Sequence, residues 1–336
     1  MCYAKSPLLC FVKFLDKQCK SIGQLFKMKL KTINHVLFVW HLSDICRESA
    51  IFAKVERYMW YCCSFIGYFY IFNDSLWMKA IEEKELKQIQ LEILCDVAAF
   101  CEKHGLRYYL AYGTLLGAVR HKGYIPWDDD IDIHMPRPDY EKFISLYNSQ
   151  DNCVVTHETE RCYHVPFAKV YRKGTIVKEY FYKQSVFGVY VDIFPIDAIK
   201  HRWQAFWCGQ CVKFMYIKTF VFCERQTLLR KLRIAVSKLI LLPFTEHFIL
   251  ERMRRISTRY KYEECKYVCS FGSRTAVREI LPREVFDEYT MLPFEGKEYR
   301  APKLYDEYLK HKYGDYMKLP PEEKRVSTHD SQAYWV

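Results

Sequence analysis

The sequence predicts an α+β fold that combines short strands with helices and carries an additional helical region. Three observations support this class. Apolar and polar residues alternate with a period of two around Asp130–Ile133, an amphipathic stretch covers Glu82–His104, and long apolar runs with scattered basic residues follow His201. Half of the 336 residues are hydrophobic and 17% are aromatic, so the chain can bury a full core.

The charge balance indicates an anionic partner. The 51 basic and 40 acidic side chains give a net charge of +11, which suits nucleotide phosphates, an acidic glycan or lipid headgroups. No nucleic-acid-binding motif accompanies this charge, so we expect no nucleic-acid partner.

The cysteines favour a reducing compartment. There are 15 of them, an odd number, and no clear signal peptide precedes them. Cys208 and Cys211, with Cys265 and Cys269, offer a zinc pattern. A lone C-x-x-C in an aromatic run is a weak signal, and buried cysteine usually acts as a small apolar residue. We therefore expect reduced thiols in a cytoplasmic protein.

Residues 1–80 form a predicted N-terminal extension. The run Leu8–Val12 is too short for a signal-peptide core, and Tyr58–Phe72 has no charge over fifteen residues. That length falls short of the ~20 residues that span a bilayer. Its tyrosines and tryptophan suit either a packing helix or attachment at a membrane surface.

The segment 81–200 is the predicted catalytic core. It opens with the helix at Glu82–His104, whose apolar stripe includes Ile89, Ile93 and Val97 and which Gly105 ends. A short strand follows at 106–112.

A turn and a helix come next. Gly113 allows close approach of a ligand to the backbone, and Thr114 can cap the following helix. A helix N-terminus of this kind attracts phosphate oxygens. Arg120, one or two turns later, adds positive charge.

The predicted strand at Asp130–Ile133 carries two acidic residues on one face. Asp130 and Asp132 project together, while Ile131 and Ile133 face the core. Two residues of strand span roughly 6–7 Å, so both carboxylates can reach one metal ion or a metal pair. A divalent cation removes their mutual repulsion and supplies a Lewis acid. This pattern predicts a metal site for phosphoryl-type chemistry.

The rest of the core alternates helix and strands. Pro138–Tyr147 is a predicted helix that buries Tyr140, Phe143 and Leu146. Strands are predicted near 153–157, 165–171 and 175–181, and a further strand at 186–194 carries Asp192. We expect Pro195 to end that strand and Asp197 to act as a cap or turn residue.

The segment 201–336 is the predicted C-terminal region that completes the site. Its runs Trp203–Cys223 and Leu228–Leu250 resemble amphipathic helices, which either pack on the sheet or lie on an anionic membrane. Arg252–Cys269 is predicted to be a solvated helix. We expect a protein that contacts the inner face of the membrane peripherally.

The string from Tyr112 to Ile133, YGTLLGAVRHKGYIPWDDDIDI, closely resembles the signature of the LicD family. These proteins are phosphocholine transferases of bacterial surface polysaccharides, distantly related to fukutin, in the nucleotidyltransferase superfamily. The likeness covers about Glu85 to Asp330. It includes a closing motif, Tyr313–Arg325, followed by His329 and Asp330.

The resemblance implies a nucleotidyltransferase-like mixed sheet flanked by helices, and it adds residues to the site. Asp192 corresponds to the family's third carboxylate, which joins Asp130 and Asp132 around Mg²⁺, with Mn²⁺ as the alternative. Lys169 lies in a family-like stretch and is expected, with His329, at the nucleotide.

The implied donor is CDP-choline, and the implied acceptor is a sugar hydroxyl of a surface glycan or its lipid-linked precursor. CDP-ribitol or CDP-glycerol are alternative donors. Choline needs an aromatic cage, for which the sequence offers Tyr108, Tyr109, Tyr112, Tyr124, Trp127, Tyr180, Tyr182 and Tyr190.

Two other function classes compete with this one. A glycosyltransferase can hold a nucleotide-sugar through an Asp-x-Asp motif and a metal ion, but the Gly113-Thr114 turn and Asp192 argue against it. A catalytically silent membrane scaffold need not keep three mutually repelling carboxylates. The transferase is therefore favoured.

Overall fold

The computed structural model describes residues 78–160, 163–180, 182, 187–221, 227–326 and 331–336, and residues 78–336 belong to one compact unit. The expectations for Leu8–Val12 and Tyr58–Phe72 lie outside the described residues. The helices are α1 (Glu83–His104), α2 (Tyr112–Arg120), α3 (Arg137–Leu146), α4 (Arg202–Thr219), α5 (Leu228–Ile240), α6 (Glu246–Ser257) and α7 (Tyr305–Tyr313). The predicted α+β class is confirmed.

The strands are, in chain order, β1 (Lys79–Ala80), β2 (Tyr109–Leu110), β3 (Asp132–Pro136), β4 (Asn152–Val155), β5 (Ala168–Arg172), β6 (Thr175–Glu179), β7 (Tyr190–Ile199), β8 (Tyr267–Cys269), β9 (Ile280–Pro282), β10 (Tyr289–Phe294), β11 (Lys297–Pro302) and β12 (Ser331–Trp335).

A mixed sheet organises these strands. Its order is β2-β3-β7-β5-β4, with β8 bound to β7 and β9 to β8. Strands β3 and β7 run parallel, and their neighbours in this sheet are antiparallel. Two smaller sheets, β1-β12-β6 and β10-β11, complete the described strands. The C-terminal strand β12 thus pairs with β1, at the start of the described chain.

One face of the central sheet forms the core. Ile133 of β3, Ile193 of β7 and Ala168 of β5 lie in register and are fully buried. Because side chains alternate along a strand, the residues next to them project to the opposite face. Helix α1 buries Ile93 and Val97 in the same core, and Gly105 ends it with a φ of 63°, as predicted.

Helix α3 was predicted with one error. Tyr140 and Phe143 are buried, but Leu146 is 53% exposed. The helix ends at Leu146, and Tyr147 enters the core in its place. The Tyr147 hydroxyl donates a hydrogen bond of 2.6 Å to the Asp96 carboxylate.

The prediction that Pro195 ends its strand is wrong, since β7 continues to Ile199. The N–H of Asp192 donates to Ile131, towards β3. Successive N–H groups along a strand point to opposite neighbours, so the position of the N–H that Pro195 lacks faces the β5 side of β7. On that side the pairing with β5 stops at Ile193. A proline at that position removes no hydrogen bond of the β5–β7 ladder.

The interpretation of Asp197 as a cap or turn residue is also wrong. Asp197 lies inside β7, is 1% exposed, and accepts two hydrogen bonds from Arg137, from Nε at 2.6 Å and from Nη2 at 2.7 Å. The Asp197 carboxylate raises the pKa of Arg137 against the opposing effect of burial. This bidentate pair ties the first turn of α3 to β7.

The helical region differs from its prediction in two places. The run 228–250 divides into α5 and α6, because the Thr245 side chain accepts a hydrogen bond from the N–H of Phe248 and begins a new helix. The solvated helix expected at Arg252–Cys269 is wrong. Helix α6 ends at Ser257, and Val268 and Cys269 are buried in β8. No helix in the described part of the chain is long and apolar enough to cross a membrane.

The buried pair between Arg137 and Asp197 generates a stability prediction. The Asp197→Asn variant leaves the guanidinium of Arg137 without its bidentate partner, so we expect the free energy of unfolding to fall by about 3 kcal/mol. Urea denaturation followed by circular dichroism measures this change.

The matched control is Glu83→Gln, the same kind of substitution in an exposed ion pair with Lys87. It should change the free energy of unfolding by less than about 0.5 kcal/mol. An Asp197→Asn protein as stable as the unaltered chain would contradict the assigned role.

Candidate active site

Three charged side chains form a row across the neighbouring strands β3, β7 and β5 of the central sheet. In register, Asp132 of β3 pairs with Asp192 of β7, and Asp192 pairs with Lys169 of β5. The three side chains therefore share the face of the sheet opposite to Ile133 and Ile193. Lys169 Nζ lies 2.5 Å from Asp192 Oδ1, and all three residues are buried.

Negative charge outweighs positive charge around Asp132. Burial raises the pKa of Asp132 well above its usual range, and the nearby carboxylates of Asp130, Asp192 and Asp128 raise it further. Lys169 opposes this effect. An excess of carboxylates with one neighbouring ammonium group is the donor set that a divalent cation stabilises.

Asp130 reaches the same cavity from a loop. Strand β3 begins at Asp132, two residues later than predicted, so Asp130 precedes the strand. It still lines the cavity with Asp132 and Asp192. Ligand atoms of Asp128, Asp129 and Asp130 lie within 4.8 Å of one another, which extends the carboxylate cluster along this loop. The side-chain amide of Gln90 in α1 anchors the loop by donating a hydrogen bond of 2.9 Å to the Asp129 carbonyl.

Thr114 holds the helix and the strand together, and it does not cap α2 as expected. The N-cap position of α2 is Ala111, which places Thr114 in the first turn. The Thr114 Oγ1 atom accepts a hydrogen bond of 2.8 Å from the N–H of Asp132. The threonine therefore fixes the first residue of β3 against α2.

The Asp128 carboxylate lies against Gly113. A Cβ atom at this position would lie 2.4 Å from Asp128 Oδ2. A larger residue here would displace the Asp128 carboxylate from the first turn of α2. The preceding residue, Tyr112, has a φ of 42° and lines the cavity with its ring.

The predicted site residue Arg120 lies outside the cavity that holds the carboxylates. The Arg120 Nη1 atom donates a hydrogen bond of 2.9 Å to the carbonyl of Tyr316. His329 is outside the described residues. The structure thus brings together Asp130, Asp132, Asp192 and Lys169, beside the turn of Gly113 and Thr114.

The cavity next to the carboxylates has a volume of about 540 Å³, and many of its wall residues are aromatic. Of the predicted cage residues, Tyr112, Tyr182 and Tyr190 line it. Tyr108 and Tyr109 are buried in the core, and Tyr124 donates to Gln90 from outside the cavity. Further aromatic residues on the wall are Tyr163, Phe167, Phe187, Phe194, Tyr216 and Tyr313.

Comparison with known proteins decides the family. Residues 105–236 match the family described as LicD/FKTN/FKRP, nucleotidyltransferase domain. The lipopolysaccharide cholinephosphotransferase LicD of Haemophilus influenzae is 31% identical over 270 residues, which are 76% of this chain and 99% of that protein. The chain belongs to the LicD family.

Two further similarities cover a smaller part of the chain. An uncharacterized protein of Rickettsia prowazekii is 27% identical over 107 residues, covering 29% of this chain and 40% of the relative. One from Rickettsia typhi is 31% identical over 102 residues, covering 28% and 33%.

The candidate site also contains residues that the sequence analysis missed. Lys312 of α7 lines the cavity, contacts the carboxylate of Glu279, and lies 4.5 Å from the centre of the Tyr112 ring. It directly precedes Tyr313, where the closing motif expected from the resemblance begins, so its position beside that motif was the available signal. Glu279 lies 33 residues away and carried no local signal.

A second cluster has metal-ligand chemistry but different surroundings. The ligand atoms of His157, Glu158 and Glu251 lie within 4.8 Å of one another. Arg254 pairs with both glutamates, at 3.2 Å and 2.9 Å, so positive charge already accompanies this cluster. Among the described residues, the thiols of Cys208, Cys211, Cys265 and Cys269 are free.

The charge balance in the LicD site predicts a response to divalent cations. If Mg²⁺ is held by Asp130, Asp132 and Asp192, adding it at ~100 times its Kd should raise the thermal unfolding midpoint by about 5 °C. The Asp132→Asn variant should lose this shift. Differential scanning fluorimetry with and without EDTA measures it.

Asp287→Asn is the matched control, because Asp287 is an exposed aspartate that does not line the cavity. Its midpoint should respond to Mg²⁺ as the unaltered chain does. An equal Mg²⁺ response in Asp132→Asn would exclude Asp132 from the ion site.

Proposed function

We propose that this LicD family member transfers a cholinephosphate group from CDP-choline to a hydroxyl group of lipopolysaccharide or a related surface glycan, and releases CMP. The reaction is proposed to need Mg²⁺, with Mn²⁺ as a substitute. The observation that carries the proposal is the row of Asp132, Asp192 and Lys169 on the wall of one cavity. A similar protein, which this chain covers almost completely, bears the name lipopolysaccharide cholinephosphotransferase.

The charged residues fit transfer of a phosphorus centre. The acceptor oxygen forms a bond to the phosphorus of cholinephosphate, and the bond between that phosphorus and the CMP oxygen breaks. A divalent ion, when bound, supplies a Lewis acid at the phosphate oxygens. Asp130 and Asp132 would hold it, and Asp192 would complete its ligands or accept the proton of the attacking hydroxyl.

Positive side chains on the cavity wall suit the donor's diphosphate. Lys169 and Lys312 both line the cavity, and each already lies beside one carboxylate, of Asp192 and Glu279 respectively. Phosphate oxygens arriving there would meet two ammonium groups. Gly113 does not line this cavity, since the Asp128 carboxylate lies against it, so we assign the phosphates to the two lysines.

The aromatic residues of the cavity wall suit a quaternary ammonium group, which binds through ring faces because it has no hydrogen-bond donor. Lys169 already makes a cation–π contact with Tyr190, with its Nζ 3.3 Å from the ring centre. Tyr182 and Tyr216 lie edge to face, with centroids 5.5 Å apart, and Glu179 on the same wall adds a negative charge. We place the choline group against Tyr182, Tyr216 and Glu179.

A donor screen tests the reaction directly. The full chain with Mg²⁺ and an acceptor glycan should release CMP from CDP-choline, and the Asp130→Asn variant should lose at least about a hundredfold of this rate. Liquid chromatography of released nucleotides measures both.

The other donors separate the alternatives. CMP from CDP-ribitol or CDP-glycerol, with none from CDP-choline, would reassign the alcohol. Release of UDP or GDP from sugar nucleotides would favour a glycosyltransferase. Unchanged turnover by Asp130→Asn would contradict its place in the site.

The choline position generates a selectivity prediction. Tyr216→Leu removes one ring face, so we expect the KM for CDP-choline to rise about tenfold while kcat changes less. Steady-state kinetics of CMP release measures both constants. Tyr267→Leu, an exposed tyrosine outside the cavity, is the control and should leave KM unchanged. A rise in KM for Tyr267→Leu but not for Tyr216→Leu would contradict this placement of choline.

A further inference from the structure

Helix α5 carries an apolar stripe that no described residue covers. Its leucine, valine and isoleucine side chains recur at helical spacing, and they are 49–70% exposed. The members are Leu229, Leu232, Val236, Leu239 and Ile240. No residue of α5 with a described side chain is buried. Apolar side chains that stay exposed to water contribute little to the stability of the fold. The exposed face of α5 therefore indicates a partner beyond the described residues.

The stripe continues into an apolar groove between α4, α5 and α6. The groove has a volume of about 770 Å³, and its walls include Trp203, Trp207, Phe244 and Phe248, which are 42–53% exposed. Exposed tryptophan and phenylalanine beside aliphatic residues are typical of side chains that enter the interfacial zone of a bilayer.

The same region is strongly cationic. Lys and Arg occur three times in 202–221 and seven times in 227–257, against two glutamates, Glu246 and Glu251. Glu251 pairs with Arg254 and Arg255. Arg252, Arg255 and Arg259 line the groove, so its apolar walls adjoin positive charge. An apolar surface with this charge matches an anionic lipid surface, which offers hydrocarbon and negative headgroups together.

We propose that α4, α5 and α6 form a membrane-docking surface that binds the interface of an anionic phospholipid bilayer, with α5 lying parallel to it. Charge decides between occupants, since a symmetric dimer through this face would bring two cationic surfaces together. Docking without a span agrees with the absence of a bilayer-length apolar helix among the described residues.

The docking surface lies close to the LicD cavity. Tyr216 of α4 and Met253 of α6 line that cavity, whereas Trp207 and Arg252 of the same helices line the groove. One helix diameter, about 10 Å, separates the two faces of a helix. A membrane on the docking surface would therefore lie near one wall of this cavity, although the docking itself does not depend on the proposed reaction.

Vesicle co-sedimentation of the full chain tests the proposal. The protein should bind vesicles of phosphatidylcholine mixed with phosphatidylglycerol, bind pure phosphatidylcholine much less, and be released by high salt. The double variant Leu232→Glu, Leu239→Glu should weaken binding by about tenfold or more. Both leucines are at least 59% exposed, so the fold should be retained, and circular dichroism checks this.

The matched control is Leu146→Glu, an exposed leucine at the end of α3, far from the groove in sequence, which should bind vesicles as the unaltered chain does. Equal vesicle binding by the double variant would assign the membrane contact to another part of the chain and overturn the proposal. A second outcome would also overturn it: the unaltered chain does not bind the vesicles, and the double variant unfolds at a lower temperature than the unaltered chain. That result would indicate that other residues of the chain cover the apolar stripe of α5. A change from dimer to monomer in the double variant would overturn it in favour of a second copy.

Discussion

The parallel pairing of β3 with β7 is the constraint on which the site depends. It places Asp132 beside Asp192 on one face, and β5 on the far side of β7 adds Lys169. Burying charged groups costs free energy, and one close contact between Lys169 and Asp192 offsets only part of that cost. The remaining carboxylates repel each other, which is the condition under which a divalent cation is bound strongly.

The surrounding structure serves to hold this row in place. Thr114 bonds the N–H of Asp132, Gly113 makes room for Asp128, and Gln90 fixes the loop through Asp129. The Arg137–Asp197 pair fastens α3 to the far end of β7. Each contact joins the loop or a strand that carries the acidic cluster to a neighbouring helix. The acidic cluster is thus positioned by side chains outside it.

The sequence predicted the local features well. The amphipathic stripe of α1, the glycine that ends it, and the position of Asp132 on a strand follow from periodicity and residue type. That strand begins two residues later than predicted, which leaves Asp130 on the preceding loop. Prediction from the sequence failed where tertiary contacts decide the outcome. Pro195 remains inside β7 because its missing N–H faces away from β3, and Asp197 is buried because Arg137, sixty residues earlier, reaches it.

The site shows the same division. The Gly113-Thr114 turn and the aspartates were visible as a motif, but the partners of the lysines were not. Lys169 meets Asp192 only through strand register, and Lys312 reaches the cavity only because α7 packs near α2. Thr114 looked like a helix cap, yet the helix begins two residues earlier, and its hydroxyl instead bonds β3. No periodicity in the sequence encodes these long-range contacts.

The central claim is that one divalent ion is held where β3 and β7 meet. The most direct measurement is a crystal structure of the chain with Mn²⁺ and CDP-choline, in which anomalous scattering locates the ion. The account predicts a peak in contact with Asp130, Asp132 and Asp192, beside the donor's phosphates. A peak at His157, Glu158 and Glu251, with none near Asp132, would contradict it.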